Sequence, residues 1–323
     1  MEGILDALAA ETGFSGVVRV DRPGRTVARA YGHADRAWRV PNTVGTRFAL
    51  ASVTKGFTAL TVAALIERGT LALGTPAREL LRDDLPLIGD EVTVEHLLAH
   101  TSGIGDYCDE DVDRPVTDHV LPVPVHELTS TEDYLTVLGD HPPKFPPGQR
   151  FSYCNSGYVV LALIAERAAR RSFAGLVHDL VCVPAGMTDT GFPRSDEPTG
   201  GVALGYLDER RTNVFHLPVV GSGDGGACST AADLHAFWAA LFAGRIVPLA
   251  WVREMTAARN DVPEENMRYG LGFRLDGDAV LLEGYDAGVS CRTVCRGDLT
   301  YTVLSNTSEG AWPIARRLAE LTA

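Results

Sequence analysis

Ser52-Val53-Thr54-Lys55-Gly56-Phe57-Thr58-Ala59-Leu60-Thr61-Val62-Ala63-Ala64-Leu65-Ile66-Glu67-Arg68-Gly69 reads as a helix with a serine at its mouth and a lysine one turn further in. The apolar residues recur at helical spacing and the run ends on a glycine stop. Lysine is rare here: of 29 Lys and Arg residues, only Lys55 and Lys144 are lysines. Arginine keeps its proton at any working pH, whereas a partly buried lysine can give it up and act as a base. No other serine in the chain has a lysine three residues on. The helix's positive end disfavours a second positive charge and stabilises negative charge developing on the serine oxygen. Lys55 is therefore expected to titrate below an ordinary lysine and to activate Ser52 as a nucleophile.

Outward from this helix the two ends of the chain resemble each other. Residues 3–12 form a short amphipathic pattern stopped by Gly13, followed by β-rich Phe14–Val20 and Thr26–Tyr31 around Asp21-Arg22-Pro23-Gly24. Near the other end Gly270–Leu275, Ala279–Leu282, Val289–Cys295 and Leu299–Leu304 read as successive strands, and Ala311–Leu321 as a closing helix. Between them the chain is mostly helical from Val53 to about Leu241, with polar, proline-rich connections at 104–128 and 141–150. The expected fold is α+β: an antiparallel sheet flanked by terminal helices, with an inserted mostly helical domain. Residues 1–50 plus about 240–323 would form a discontinuous sheet domain and about 51–239 the insert, with the active site in the cleft between them.

A net charge of −13 argues against nucleic acid and anionic membrane as partners, and no apolar run is long enough to span a bilayer. The acidic start Met1-Glu2-Gly3-Ile4-Leu5-Asp6 lacks the basic region of a secretion signal, so a cytoplasmic location is expected. Six cysteines without C-x-x-C spacing read as small buried thiols of a reducing compartment.

Three further islands matter. Phe145-Pro146-Pro147-Gly148-Gln149-Arg150-Phe151-Ser152-Tyr153-Cys154-Asn155-Ser156-Gly157-Tyr158 puts Tyr153 and Asn155 two apart in an extended piece, able to face one side. His96-Leu97-Leu98-Ala99-His100-Thr101-Ser102-Gly103 ends a helix, and Gly225-Gly226-Ala227-Cys228-Ser229-Thr230-Ala231-Ala232-Asp233 begins one. Taken in order with Ser52-x-x-Lys55, these stretches resemble the β-lactamase-related serine hydrolases: class C β-lactamases, D-aminopeptidases, family VIII esterases and penicillin-recognising relatives. The similarity runs from about residue 14 to residue 306. It implies a β-lactamase/transpeptidase-like fold and an acyl-enzyme on Ser52, with Lys55 and Tyr153 sharing its proton. It also implies that Asn155 holds the lysine and the substrate's acyl side, and that the Ser52 N–H forms half of an oxyanion hole.

The chain departs from the family at the third motif, a Lys-Thr-Gly or His-x-Gly on an edge strand. Aligning Leu282-Glu283-Gly284-Tyr285 on Gly284 puts Leu282 where the cation or imidazole belongs. The Tyr285 backbone N–H can still complete the oxyanion hole, but a carboxylate-binding group is lost, which favours a neutral acyl group. His96 and His100 stand i,i+4 without the H-E-x-x-H glutamate, so neither a metal nor a cofactor is expected. Cys154 is expected to point away from its neighbours and pack. The leading reading is a serine hydrolase of a small ester or amide. The alternatives are an acyltransferase that passes the same acyl-enzyme to an alcohol or amine, as in natural-product assembly, and a non-catalytic binding protein that keeps the fold. The acidic segment Asp106–Asp118 reads as a solvated loop, or as the border of an acceptor site.

Overall fold

In the computed structural model, residues 1–112, 114–197 and 200–322 are described. Asp113, within the acidic segment, and Ala323, the last residue of the expected sheet domain, lie outside them. Helix α1 (Glu2–Thr12) ends at Gly13, whose φ of 63° supplies the left-handed stop. Strands β1 (Gly16–Arg22) and β2 (Arg25–Tyr31) form the expected hairpin. The other six strands of the same sheet are β3 (Asn260–Val262), β4 (Met267–Tyr269), β5 (Arg274–Asp276), β6 (Ala279–Asp286), β7 (Val289–Arg296) and β8 (Leu299–Ser305). All eight make one antiparallel sheet in the order β2-β1-β8-β7-β6-β5-β4-β3. The first hairpin thus joins the last strands through the pair Val18↔Val303, as the sequence predicts.

Helix α1 and the closing helix α5 (Ala311–Thr322) cover one face of this sheet. Leu5, Ala9, Ile314 and Leu318 are buried there against Val18, Val20, Leu281 and Val303. The main core lies on the other side. Helix α2 (Thr54–Glu67) is buried from Thr54 to Leu65, and α3 (Asn155–Ala169) from Asn155 to Ala165. Helices apolar all round belong at the centre of a domain, and these two pack on each other. Helix α4 (Ala231–Phe242) ties the insert to the sheet, with Trp238 Nε1 donating to Thr293 Oγ1 on β7 at 2.8 Å.

Two details differ from the sequence reading. The expected strand Gly270–Leu275 begins only at Arg274. Before it the chain turns tightly at Gly272, φ 89°, where an added Cβ would stand 2.3 Å from the Ala59 side chain. Strands β3 and β4, at the sheet's edge, are three residues each and mostly polar, too short to show a two-residue period. No helix among the described residues is long and apolar enough to cross a membrane.

Candidate active site

The turn that presents Ser52 is built by pairing two distant segments. Phe48 and Ala49 pair with Ser229 and Cys228, and Leu50 N–H donates to Ala227 O at 2.8 Å. Ala51 then takes φ 43°, a left-handed conformation that costs an alanine about 1–2 kcal/mol. The chain makes one 3₁₀ turn, Ala51–Val53, and continues into α2. Strain immediately before a serine is what a structure tolerates when the position of that serine is over-determined by its surroundings.

Lys55 is 1% exposed and its Nζ meets three acceptors: Ser52 Oγ at 2.8 Å, Asn155 Oδ1 at 2.7 Å and Asp224 O at 2.9 Å. Three acceptors match the three hydrogens of an ammonium. A neutral amine fits the same cage, donating to Asn155 and Asp224 and turning its lone pair to the Ser52 hydroxyl. The sequence expectation of a depressed lysine pKa is corrected here. Burial does push it down, but attraction to Tyr153, Asp224 and Glu110 outweighs burial, and the net direction is up. Asp224 lies 169 residues away in the chain and Glu110 in a connection, so local sequence could not reveal either.

Tyr153 stands with its ring centroid 4.9 Å from Lys55 Nζ, and behind it the Arg274 guanidinium lies 5.1 Å from the same centroid. Asn155 is the first residue of α3 rather than part of an extended piece. The turn is fixed by Asp106, which accepts from Asn155 N–H at 2.7 Å and Ser156 N–H at 2.9 Å. Cys154 caps the helix, its Sγ accepting from Gly157 N–H, and burial pushes its thiol up, so it packs as expected. Asn155 spends its carbonyl on Lys55, but its amide hydrogens go to Cys108 O at 2.8 Å and Glu110 Oε1 at 3.2 Å. Those hydrogens are therefore committed to the 106–110 loop where a substrate contact was expected. The beginning of the acidic segment is thus part of the site's wall, not a solvated loop.

Strand β6 closes the site from the sheet side. Strand β5 pairs only with Ala279–Leu281, so the β6 edge from Leu282 onward is open, and the Ser52 turn lies against it. Gly284 makes this approach possible: a Cβ there would stand 2.1 Å from Leu50 O and 2.7 Å from Cys291 Sγ. Leu282 is 4% exposed and packs into the main core against Gly56 of α2. Arg274 on the adjoining strand is bound by Glu265 at 2.8 and 2.9 Å and approaches Glu283 at 3.6 Å.

A cavity of about 880 Å³ opens above Ser52, with Asn155, Asp224, Glu110, Tyr285 and Asp286 among its lining residues. Its lining carries carboxyl groups from Asp109, Glu110, Asp224 and Asp286, and the cations Arg114 and Arg194. Asp224 is raised by burial, although Lys55 and a 2.5 Å hydrogen bond from Tyr107 Oη pull it down. Burial pushes Asp286 up to about 7, with Asp224 and Glu110 adding to the effect. The two histidines are placed structurally. His96 Nδ1 accepts from Thr93 N–H in a capping box, and His100 Nδ1 accepts from Cys154 N–H. Asp224, Tyr107, Glu110 and Asp286 were not singled out from sequence; Asp224 directly precedes the Gly225-Gly226-Ala227 island and could have been.

A family model described as Beta-lactamase matches residues 1–323. Esterase EstB of Burkholderia gladioli is 35% identical over 202 residues, 59% of this chain and 50% of that protein. Penicillin-binding protein 4* of Bacillus subtilis is 28% identical over 293 residues, 85% of this chain and 62% of that protein. The chain spans 48–62% of the length of these and two further curated relatives. The crystal structure of a penicillin-binding protein from Bacillus halodurans superposes with a TM-score of 0.92 at 32% identity, covering 98% of this chain and 99% of that one. With a family model matched from the first residue to the last and a fold shared over the same span, the chain belongs to the Beta-lactamase family.

Proposed function

We propose that this protein is a serine hydrolase that forms an acyl-enzyme on Ser52 from a neutral ester or amide. The observation that carries the reading is the buried Lys55 Nζ, 2.8 Å from Ser52 Oγ and held there by Asn155 Oδ1 and the Asp224 carbonyl. In this reading the Ser52 oxygen attacks the acyl carbonyl and its proton passes to the Lys55–Tyr153 pair. The same pair returns it to the leaving group, and the deacylating water reverses the sequence. Because Lys55 is held toward its cationic form, no single acceptor of the Ser52 proton is assigned within the pair. The oxyanion forms between the N–H groups of Ser52 and Tyr285. In an antiparallel hairpin closed at Asp286↔Val289, the neighbouring Tyr285 N–H turns away from β7 toward the open edge.

Leu282 buried in the core and Arg274 committed to glutamates leave the sheet side of Ser52 without the family's third-motif cation. Glu110, and Asp224 and Asp286 where ionised, add negative charge, which disfavours a substrate carboxylate beside them. The penicillin-binding relatives are therefore less apt guides to the substrate than the esterase. Acyl transfer is supported by the cavity: about 880 Å³ leaves room for an alcohol or amine beside a small acyl group on Ser52. We further read the chain as a sheet domain of residues 1–50 plus about 240–323 enclosing an insert of about 51–239. Six unpaired cysteines support a reducing, cytoplasmic setting.

The test is a chase. The acyl-enzyme formed with an activated ester is isolated and offered water alone, then water with alcohols or amines, and the products are quantified. Turnover retained in Ser52→Ala refutes the reading. Acyl product appearing on the acceptor faster than free acid selects transfer over hydrolysis.

A further inference from the structure

His100 is an unusual residue at its position. It follows the short helix Val94–Leu98 and takes φ 56°, the left-handed region that a side chain enters at a cost. It is 1% exposed, and among the described residues its Nε2 has no hydrogen-bond partner. A glycine there would relieve the backbone and avoid an unpaired buried nitrogen, so the imidazole must supply something in return.

What it supplies brackets Tyr153 on both sides. The His100 carbonyl accepts from Ser152 N–H at 2.9 Å, and its Nδ1 accepts from Cys154 N–H at 3.1 Å. Between these two bonds the ring lies against Tyr153, centroids 4.4 Å apart and planes tilted by 35°. Tyr158, Tyr269 and Phe151 close around the same imidazole at 4.9, 4.9 and 5.8 Å. The backbone bonds therefore set the φ/ψ path through residues 152–154, and the ring sets the plane of the phenol. Both act on the one side chain that faces Lys55 across 4.9 Å.

The bond from Cys154 also dictates the tautomer. Nδ1 can accept only if it carries no proton, so the ring is neutral with its hydrogen on Nε2. An imidazolium would turn an N–H toward the Cys154 N–H and add a third positive charge beside Lys55 and Arg274. Burial, with Lys55 and Arg274, holds the ring well below the usual histidine range.

We propose that His100 is a positioning residue that, through its neutral Nδ1 and its ring packed against the phenol, holds Tyr153 in register with Lys55 for proton transfer at Ser52. This rests on the acyl-enzyme reading above. His100 touches neither substrate nor the reacting atoms, and its effect reaches them only through Tyr153.

The test uses two substitutions in two backgrounds. His100→Leu removes the acceptor and leaves the Cys154 N–H buried and unpaired. His100→Asn carries an acceptor oxygen the same number of bonds from Cα and suits the left-handed region, but loses the ring packed against Tyr153. The rate of Ser52 acylation by an activated ester is measured for each, in the wild type and in Tyr153→Phe. His100→Leu should lower kcat by about 10²-fold with KM unchanged, as a displaced proton-transfer group does. His100→Asn should recover most of that loss. In Tyr153→Phe neither substitution should slow acylation further, because groups acting as one unit are not additive. A His100 substitution that costs the same factor in both backgrounds overturns the proposal, as does His100→Asn no faster than His100→Leu. If His100→Leu does not fold, the loss in His100→Asn must still vanish in Tyr153→Phe. Wild-type protein that never acylates, or Tyr153→Phe as fast as wild type, refutes the underlying reading itself and is seen before any His100 variant is made.

Discussion

Replacing Gly284 by alanine separates the oxyanion hole from the rest of the site. The new Cβ would lie 2.1 Å from the Leu50 carbonyl oxygen, a backbone atom that cannot swing aside, and 2.7 Å from Cys291 Sγ. A carbon–oxygen contact settles at about 3.3 Å, so β6 and the Ser52 turn must separate by roughly 1 Å. The Tyr285 N–H moves with Gly284, whereas the contacts of Lys55 with Ser52 and Asn155 join the 3₁₀ turn, α2 and α3 to one another and stay in place. Losing one oxyanion donor lowers kcat by about 10²–10³-fold. The overpacking itself costs about 1–3 kcal/mol of stability, so most of the protein remains folded. The assay is p-nitrophenyl acetate turnover with thermal unfolding on the same preparation. A folded Gly284→Ala protein with wild-type kcat would show that β6 contributes no donor and that the close approach serves packing alone.

Lys55→Arg keeps the cation but cannot take a proton, and should lower acylation by about 10²–10⁴-fold with circular dichroism unchanged; near-normal rates would remove Lys55 from the proton path. Asp286 is raised to about 7 in the folded protein against an ordinary 3.8, so its protonated form favours folding. Its contribution is present below about pH 4 and lost as pH rises toward 7. Asp286→Asn should therefore gain thermal stability over wild type as pH increases through that window, and a Tm difference that is flat from pH 4 to 8 contradicts the burial argument. Neutral esters should be turned over with higher kcat/KM than cephalosporins; the reverse order would mean that a cation such as Arg274 leaves its glutamates to bind the carboxylate.

The parts legible in sequence were those set by local pattern. Helix α2 announced itself through spacing and its glycine stop, and the terminal hairpin and last strands through alternation and turn residues. Ser52, Lys55, Tyr153 and Asn155 could be singled out because their motifs are local, and they lie together in the fold. What local pattern could not give was the charge around Lys55. Tyr153, Asp224 and Glu110 reach it through tertiary packing and reverse the direction expected from burial and the helix end. The use of Asn155's amide hydrogens by the 106–110 loop was hidden for the same reason. Leu282 was read as standing where the resemblance expects a cation, but its packing against Gly56, directly after Lys55, emerges only from strand-to-helix contact.

The central claim is that Ser52 carries the acyl group. Intact-protein mass spectrometry after brief exposure to an activated ester, followed by peptide mapping, reads this directly. The account predicts a single acyl adduct on the Ser52 peptide that is absent in Ser52→Ala. An adduct that maps to Cys154, or that persists in Ser52→Ala, would contradict it.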